Sequence, residues 1–151
     1  MTRQRRYNLI TRDFDDNNGG VIHVDFAQIQ VKLENKEKHR TKYIDAWIDS
    51  GSFTNLFPSY IADALRIDLK SVNPRDIRGI GTAKVTAYRH KVAMSVGPLG
   101  LSDTFETEID FSEEIIQPLL GLNGFFDKYH TVCFNSPSKE YTLIKDLSNL
   151  S

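Results

Sequence analysis

The sequence predicts an all-β fold, a barrel or a sandwich. Apolar residues alternate with polar ones along many short runs, turn signals recur about every 8–12 residues, and almost no stretch has the period of a helix. At 151 residues the chain is most simply one domain, able to bury about two-thirds of its unfolded surface.

The elements follow in order. Residues 1–20 are polar and end in Asp15-Asp16-Asn17-Asn18-Gly19-Gly20, so they are expected as a polar N-terminal extension, a solvated tail ahead of a domain over residues 21–151. Its arginines (Arg3, Arg5, Arg6, Arg12) then belong to solvent. From Val21 the pattern alternates, with Ile22, Val24 and Phe26 on one face and Ile29, Val31 and Leu33 after a phase slip that implies a bend. Asn35 to Arg40 is a charged connection, and Tyr43 to Ile48 is the next strand. After Phe57, Pro58-Ser59 opens a short helix over Tyr60 to Arg66, with Ser59 as N-cap and Ile61, Ala64 and Leu65 as its apolar stripe. A second helix is expected around Asn123. Val72 to Ile80 is extended, Gly79-Ile80-Gly81-Thr82 makes a glycine-rich tip, and Lys84 to Val96 returns as a long strand. Gly97 to Gly100 is a turn before a strand from about Ser102 to Ile109, and Ile115 to Leu120 is a further apolar run. Tyr129 to Phe134 and Glu140 to Ile144 flank a loop and close the chain as a hairpin.

Composition excludes some functions. The 40% apolar and 26% charged residues are ordinary for a soluble globular protein. A net charge of −1 offers no electrostatic reason to bind nucleic acid or an anionic membrane, and no apolar run is long enough to span a bilayer. The charged start has no apolar stretch behind it, so no secretory signal is expected, and the lone Cys133 fits a reducing, cytoplasmic location. The four histidines (His23, His39, His90, His130) are scattered and ask for no metal; no cofactor is expected. Cys133 lies in an apolar strand and is expected in the core, and Asp110, Glu113 and Glu114 are expected on a solvated face. Asn149-Leu150-Ser151 matches a glycosylation pattern but is set aside for want of a secretion signal. Gly79-Ile80-Gly81 lacks the third glycine and the helix that a dinucleotide fingerprint needs.

The unexplained feature is Asp49-Ser50-Gly51. As a tight turn it needs no function, because Asp and Ser bond nearby backbone and glycine turns freely. Its Asp, however, ends an apolar strand, where a carboxylate is costly without a partner or a task. A D-[ST]-G triplet arises by chance in roughly one chain in fifteen of this length, so it needs corroboration.

Corroboration comes from an ordered set: Ile48-Asp49-Ser50-Gly51-Ser52, then Ile77-Arg78-Gly79-Ile80-Gly81, then Leu119-Leu120-Gly121 with Asn123 two residues on. Over about residues 20–145 this resembles the single-lobe aspartic peptidases, the retropepsins and their small bacterial relatives. The stretch Leu120 to Phe134 is similar to the C-terminal part of the bacterial members, which implies a cellular protein. The resemblance implies a closed acid-protease barrel with a flap hairpin, an obligate homodimer, and hydrolysis of a peptide or protein substrate. Asp49 would be the catalytic carboxylate. Such hydrolysis needs two carboxylates, one ionised and one protonated, whose repulsion at about 3 Å is roughly 5 kcal/mol at an effective dielectric near 20, so that the pair holds one proton. The chain carries one such triplet, so the second Asp49 would come from a second subunit. By the same resemblance Ser50 would bond backbone across the two-fold axis, and Gly51 and Ser52 would lie against substrate. Gly79, Ile80, Gly81, Thr82 and Ala83 would form the flap, Leu119, Leu120 and Gly121 would support the catalytic loop, and Asn123 would start the C-terminal helix. Phe53 and Leu122 stand where retroviral members often carry an Asp and an Arg that pair, a matched apolar exchange, and Thr82 replaces a flap glycine. Two other readings stay open: a protease-fold homodimer that binds peptides with little catalysis, and an unrelated β-barrel in which Asp49-Ser50-Gly51 is only a turn.

Overall fold

Alternating apolar side chains set the register of the main sheet. In a computed structural model describing residues 1–79, 81, 83–98 and 101–148, strands β1 (Thr2–Asn8), β2 (Ile10–Asp15), β3 (Val21–Phe26), β4 (Gln28–Asn35) and β5 (Arg40–Ile48) come first. β4 and β5 pair antiparallel from Gln28↔Trp47 to Asn35↔Arg40, which sends Ile29, Val31 and Leu33 to the same side as Ile44, Ala46 and Ile48. A one-residue slip would turn every one of these side chains to solvent. The phase slip after Phe26 is a real break: β3 ends there, and Ala27 is buried with its carbonyl accepting the Ile48 N–H.

The remaining elements are β6 (Leu56–Pro58), helix α1 (Ser59–Ala64), β7 (Arg75–Arg78), β8 (Lys84–Val96), β9 (Asp103–Ser112), β10 (Leu119–Leu120), β11 (Thr131–Asn135) and β12 (Glu140–Asp146). The order β4-β5-β10-β6-β9-β8-β7 forms one sheet, and the additional pairing of β4 with β8 closes six of its strands into a barrel. β7 hangs from β8 outside the closed ring, as a projecting hairpin. Ile29, Val31 and Leu33 meet Phe57, Ile61, Met94, Ile109, Phe111, Leu120 and Phe125 in the interior. The fold is therefore all-β, as the patterning predicts, and of the barrel and sandwich that the patterning leaves open it is the closed barrel that the resemblance implies.

Several expectations change. Residues 1–20 are not a solvated tail: β1 is the edge of a β1-β12-β11 sheet, and β2 pairs with β3. Arg3, Arg5 and Tyr7 alternate inward; both arginines pair with the buried Asp103, and Tyr7 stacks on Tyr141. The helix begins at Ser59 itself, with Pro58 at the cap position and no side-chain cap, and it buries Ile61, Ala62 and Leu65 while Ala64 is exposed. No helix starts at Asn123; that region is a three-residue 3-10 turn, Phe126–Lys128. Of the run from Ile115, only Leu119 and Leu120 are in a strand, and Ile116 is exposed. Cys133 is exposed rather than core, because the outer strand β11 turns it to solvent. Asp110 is fully buried and not part of a solvated acidic face. The expectations on Ile80, Thr82, Leu99, Gly100 and residues 149–151 lie outside the described residues. Among the described residues no helix is long and apolar enough to cross a membrane.

Candidate active site

β5 is clamped at its end before it releases Asp49. Trp47 N–H donates to the Pro118 carbonyl at 2.9 Å and Asp49 N–H to the Leu120 carbonyl at 2.9 Å, so β4 and β10 hold both sides. The even residues Ile44, Ala46 and Ile48 face the barrel interior, and the odd residues Trp47 and Asp49 therefore face outward, both half-buried. Asp49 Oδ1 accepts the Gly51 N–H at 2.8 Å, and the Ser52 N–H returns to the Asp49 carbonyl at 3.1 Å. This is the Asx-type turn that the triplet predicts. The Ser52 hydroxyl donates to the Thr54 carbonyl at 2.7 Å and stiffens the exit, while Ser50 is exposed.

Leu119, Leu120 and Gly121 run directly against that loop. Leu122 N–H donates to the Ser52 carbonyl and Asn123 N–H to the Phe53 carbonyl, both at 2.9 Å, and Thr54 forms a parallel bridge with Asn123. The approach is so close that a Cβ on Gly121 would collide with the Thr54 carbonyl and lie 2.7 Å from the Ser52 carbonyl oxygen. Glycine is required there because the obstruction is backbone. Phe53 and Leu122 sit on these adjacent segments, 65% and 40% exposed, an apolar pair facing out of the single chain.

Asn55, which sequence reasoning did not single out, ties the loop to the barrel. It is fully buried; Oδ1 accepts the Gly121 N–H at 3.1 Å, and Nδ2 donates to Thr107 Oγ1 and the Glu108 carbonyl at 3.2 Å each. Thr107 passes the network on to the Gly124 carbonyl. Next to it, the Asp110 N–H donates to the Asn55 carbonyl, and the Asp110 carboxylate takes both Arg89 Nε at 3.0 Å and Nη2 at 2.9 Å. That bidentate bond raises the Arg89 pKa. The only local signal for Asn55 is an amide wedged beside the apolar Leu56-Phe57, a weak one because its partners lie 52 to 66 positions away.

The β7–β8 hairpin leans over this loop. Gly79 N–H donates to the Ala83 carbonyl at 3.3 Å to close the tip, and Gly81 has φ +92°, a left-handed conformation that disfavours side chains. The Thr86 N–H of β8 donates to Glu114 Oε1 at 2.8 Å, which fixes the base of the hairpin to the loop before β10. Between hairpin and loop lies a cavity of about 360 Å³. Asp49, Gly51, Ser52 and Leu119 line one side and Gly79 and Ala83 the other, with Ile77, Val85 and Leu56 making it apolar. Of the expected site residues, these six meet in one cavity; Leu120, Gly121 and Asn123 buttress the loop from behind, whereas Ser50 and Gly81 do not line it. Larger concavities of about 430 and 480 Å³ lie elsewhere, lined by surface charges such as Lys36, Glu37 and Arg66 or Glu108 and Lys128, and neither contains Asp49. Among the described residues no three metal-ligating side chains gather.

The architecture has a solved counterpart. It is similar to the crystal structure of a retropepsin-like aspartic protease from Rickettsia conorii, with a TM-score of 0.61 and 14% sequence identity over 96% of this chain and 94% of that one. The fold is thus retropepsin-like. No protein-family model matches the chain, and no curated protein does.

Proposed function

We propose that the chain is an aspartic endopeptidase that acts as a homodimer, each subunit supplying one Asp49. The observation that carries this reading is the placement of a half-buried carboxylate, held by its own turn, on the wall of an apolar cavity roofed by a glycine-tipped hairpin. A single carboxylate cannot both accept and donate a proton, and Phe53 and Leu122 leave an apolar surface beside the loop for a second copy to cover. In the dimer the ionised Asp49 takes a proton from water as the water oxygen attacks the scissile carbonyl carbon. The protonated Asp49 gives its proton to the carbonyl oxygen, forming a neutral tetrahedral diol. Collapse of the diol breaks the C–N bond, with one proton passing to the leaving amine and the hydroxyl proton returning to the dyad. Ser50 would bond across the axis, Gly51 and Ser52 would meet the substrate backbone, and Gly79 to Ala83, including Ile80 and Thr82, would close over it and exclude water. The single Cys133 supports a reducing, cytoplasmic setting, in keeping with a bacterial protein.

The test is cleavage of a peptide library between about pH 3 and 7 beside Asp49→Asn, with the mass in solution measured by light scattering. The expected result is a dimer that cleaves and a variant that does not. Cleavage unaffected by Asp49→Asn, or a strict monomer, would remove the assignment; a dimer that binds peptides without cleaving would make it a peptide-binding module.

A further inference from the structure

The β2–β3 hairpin carries an apolar face that stays exposed at Ile10, Phe14 and Ile22, while Val24 and Phe26 are half-buried. Ile10 pairs with Phe26, Arg12 with Val24 and Phe14 with Ile22, so five apolar side chains share one face with Arg12, whose guanidinium is held by Gln28 Oε1. The other face is polar, with Thr11 bonded to Asp25 and Asp13 to His23. Ile10, Phe14 and Ile22 are 38%, 43% and 50% exposed. A two-stranded ribbon is marginal in water by itself, and a contiguous exposed apolar face marks a binding surface.

The face leads into the cleft. Phe14 meets Phe26 edge-on at 5.8 Å, and Phe26 stacks on Trp47 at 4.3 Å. Gln28 Oε1 ties the ribbon to β5, accepting Arg12 Nη2 at 3.2 Å and Trp47 Nε1 at 3.3 Å. Trp47 shares the outward face of β5 with Asp49, and its cross-strand neighbour Leu119 lines the Asp49 cavity. An unbroken apolar strip therefore runs from the ribbon to the carboxylate.

We propose that this ribbon is a substrate shelf, binding apolar side chains of an extended polypeptide some residues away from the bond held at Asp49. Trp47 begins roughly 7 Å from Asp49 along the strand, and the rings extend the strip by about 10 Å. At about 3.3 Å per residue, the shelf meets positions roughly two to five residues from the scissile bond. The substrate class is thus a peptide with apolar flanks rather than charged ones. The proposal rests on Asp49 as the peptidase site, and continuity with that cleft is what favours a substrate over a second copy as the occupant.

The experiment compares a core peptide extended by Leu and Phe with the same core extended by Ser, binding to Asp49→Asn protein by fluorescence anisotropy. Burying about 60 Å² of apolar surface favours the apolar extension roughly tenfold in Kd. The double variant Phe14→Ser/Ile22→Ser, made in the Asp49→Asn protein, brings that ratio to about one, while Val21→Ser, on the ribbon's opposite face, keeps it. A ratio near one without the ribbon substitutions, or a ratio the double variant leaves intact, overturns the shelf. A double variant that keeps the ratio but changes the mass in solution assigns the face to a second copy and also overturns it. If native protein cleaves neither peptide while the tenfold ratio holds, the peptidase reading fails and the shelf stands.

Discussion

Replacing Asn55 by alanine should unfasten the loop that carries Asp49. Asn55 is fully buried and makes three hydrogen bonds, one accepted from the Gly121 N–H and two donated to Thr107 Oγ1 and the Glu108 carbonyl. The two donated bonds are worth about 1 kcal/mol each, and leaving the Gly121 N–H without its partner beneath the loop costs about 1–3 kcal/mol, so the loss should be roughly 3–5 kcal/mol. With a urea slope near 2 kcal/mol/M, the unfolding midpoint should fall by about 1.5–2.5 M at an unchanged slope. Asn55→Asp should be no milder, because it keeps an acceptor toward Gly121 but sets a buried carboxylate against the Glu108 carbonyl. Asp49→Asn is the control: with a half-buried side chain bonded only within its own turn, it should shift stability by less than about 1 kcal/mol. A midpoint for Asn55→Ala within 0.3 M of the native value, roughly 0.6 kcal/mol, would refute the view that this amide fastens the loop.

Gly121→Ala should be among the most damaging single-methyl additions, since the new Cβ meets the Thr54 and Ser52 carbonyls and backbone must move; thermal melting should show loss of several degrees or failure to fold. Asp110→Asn breaks the bidentate contact between this buried carboxylate and Arg89 and should cost about 3 kcal/mol in urea unfolding, with part of the penalty relieved by the partly exposed guanidinium. Glu114→Ala frees the Thr86 N–H at the base of the β7–β8 hairpin; if the hairpin closes on substrate, KM should rise several-fold while the urea midpoint barely changes. Burial raises the phenol pKa values of Tyr129 and Tyr141 above their ordinary value near 10. A folded-state value raised above the unfolded one means stability that is complete below about pH 10 and lost as pH rises toward the folded values, by up to about 1.4 kcal/mol per pH unit for each group. Urea midpoints measured from about pH 9 to 12 should fall accordingly, and Tyr141→Phe should flatten the slope.

Much of this was readable locally. Period-2 alternation marks β4, β5 and β8 because each strand buries one face, and that pattern needs no knowledge of its partners. Asp49-Ser50-Gly51 and the glycine tip at Gly79 and Gly81 are legible for a similar reason, since turn chemistry is written in the residues of the turn. The helix starts one residue ahead of the expected Tyr60 because Pro58 supplies the entry geometry without a capping side chain.

The sequence by itself determined the all-β class, the closing of most hairpins and the turn that bears the carboxylate, all interactions among near neighbours. Tertiary structure decided the rest. Arg3 and Arg5 look solvated until Asp103, a hundred positions on, is found buried against them. Asn55 looks like an ordinary polar residue until Gly121 arrives within hydrogen-bond reach. In each case a polar group's role depends on which distant group shares its burial, and no local pattern encodes that pairing.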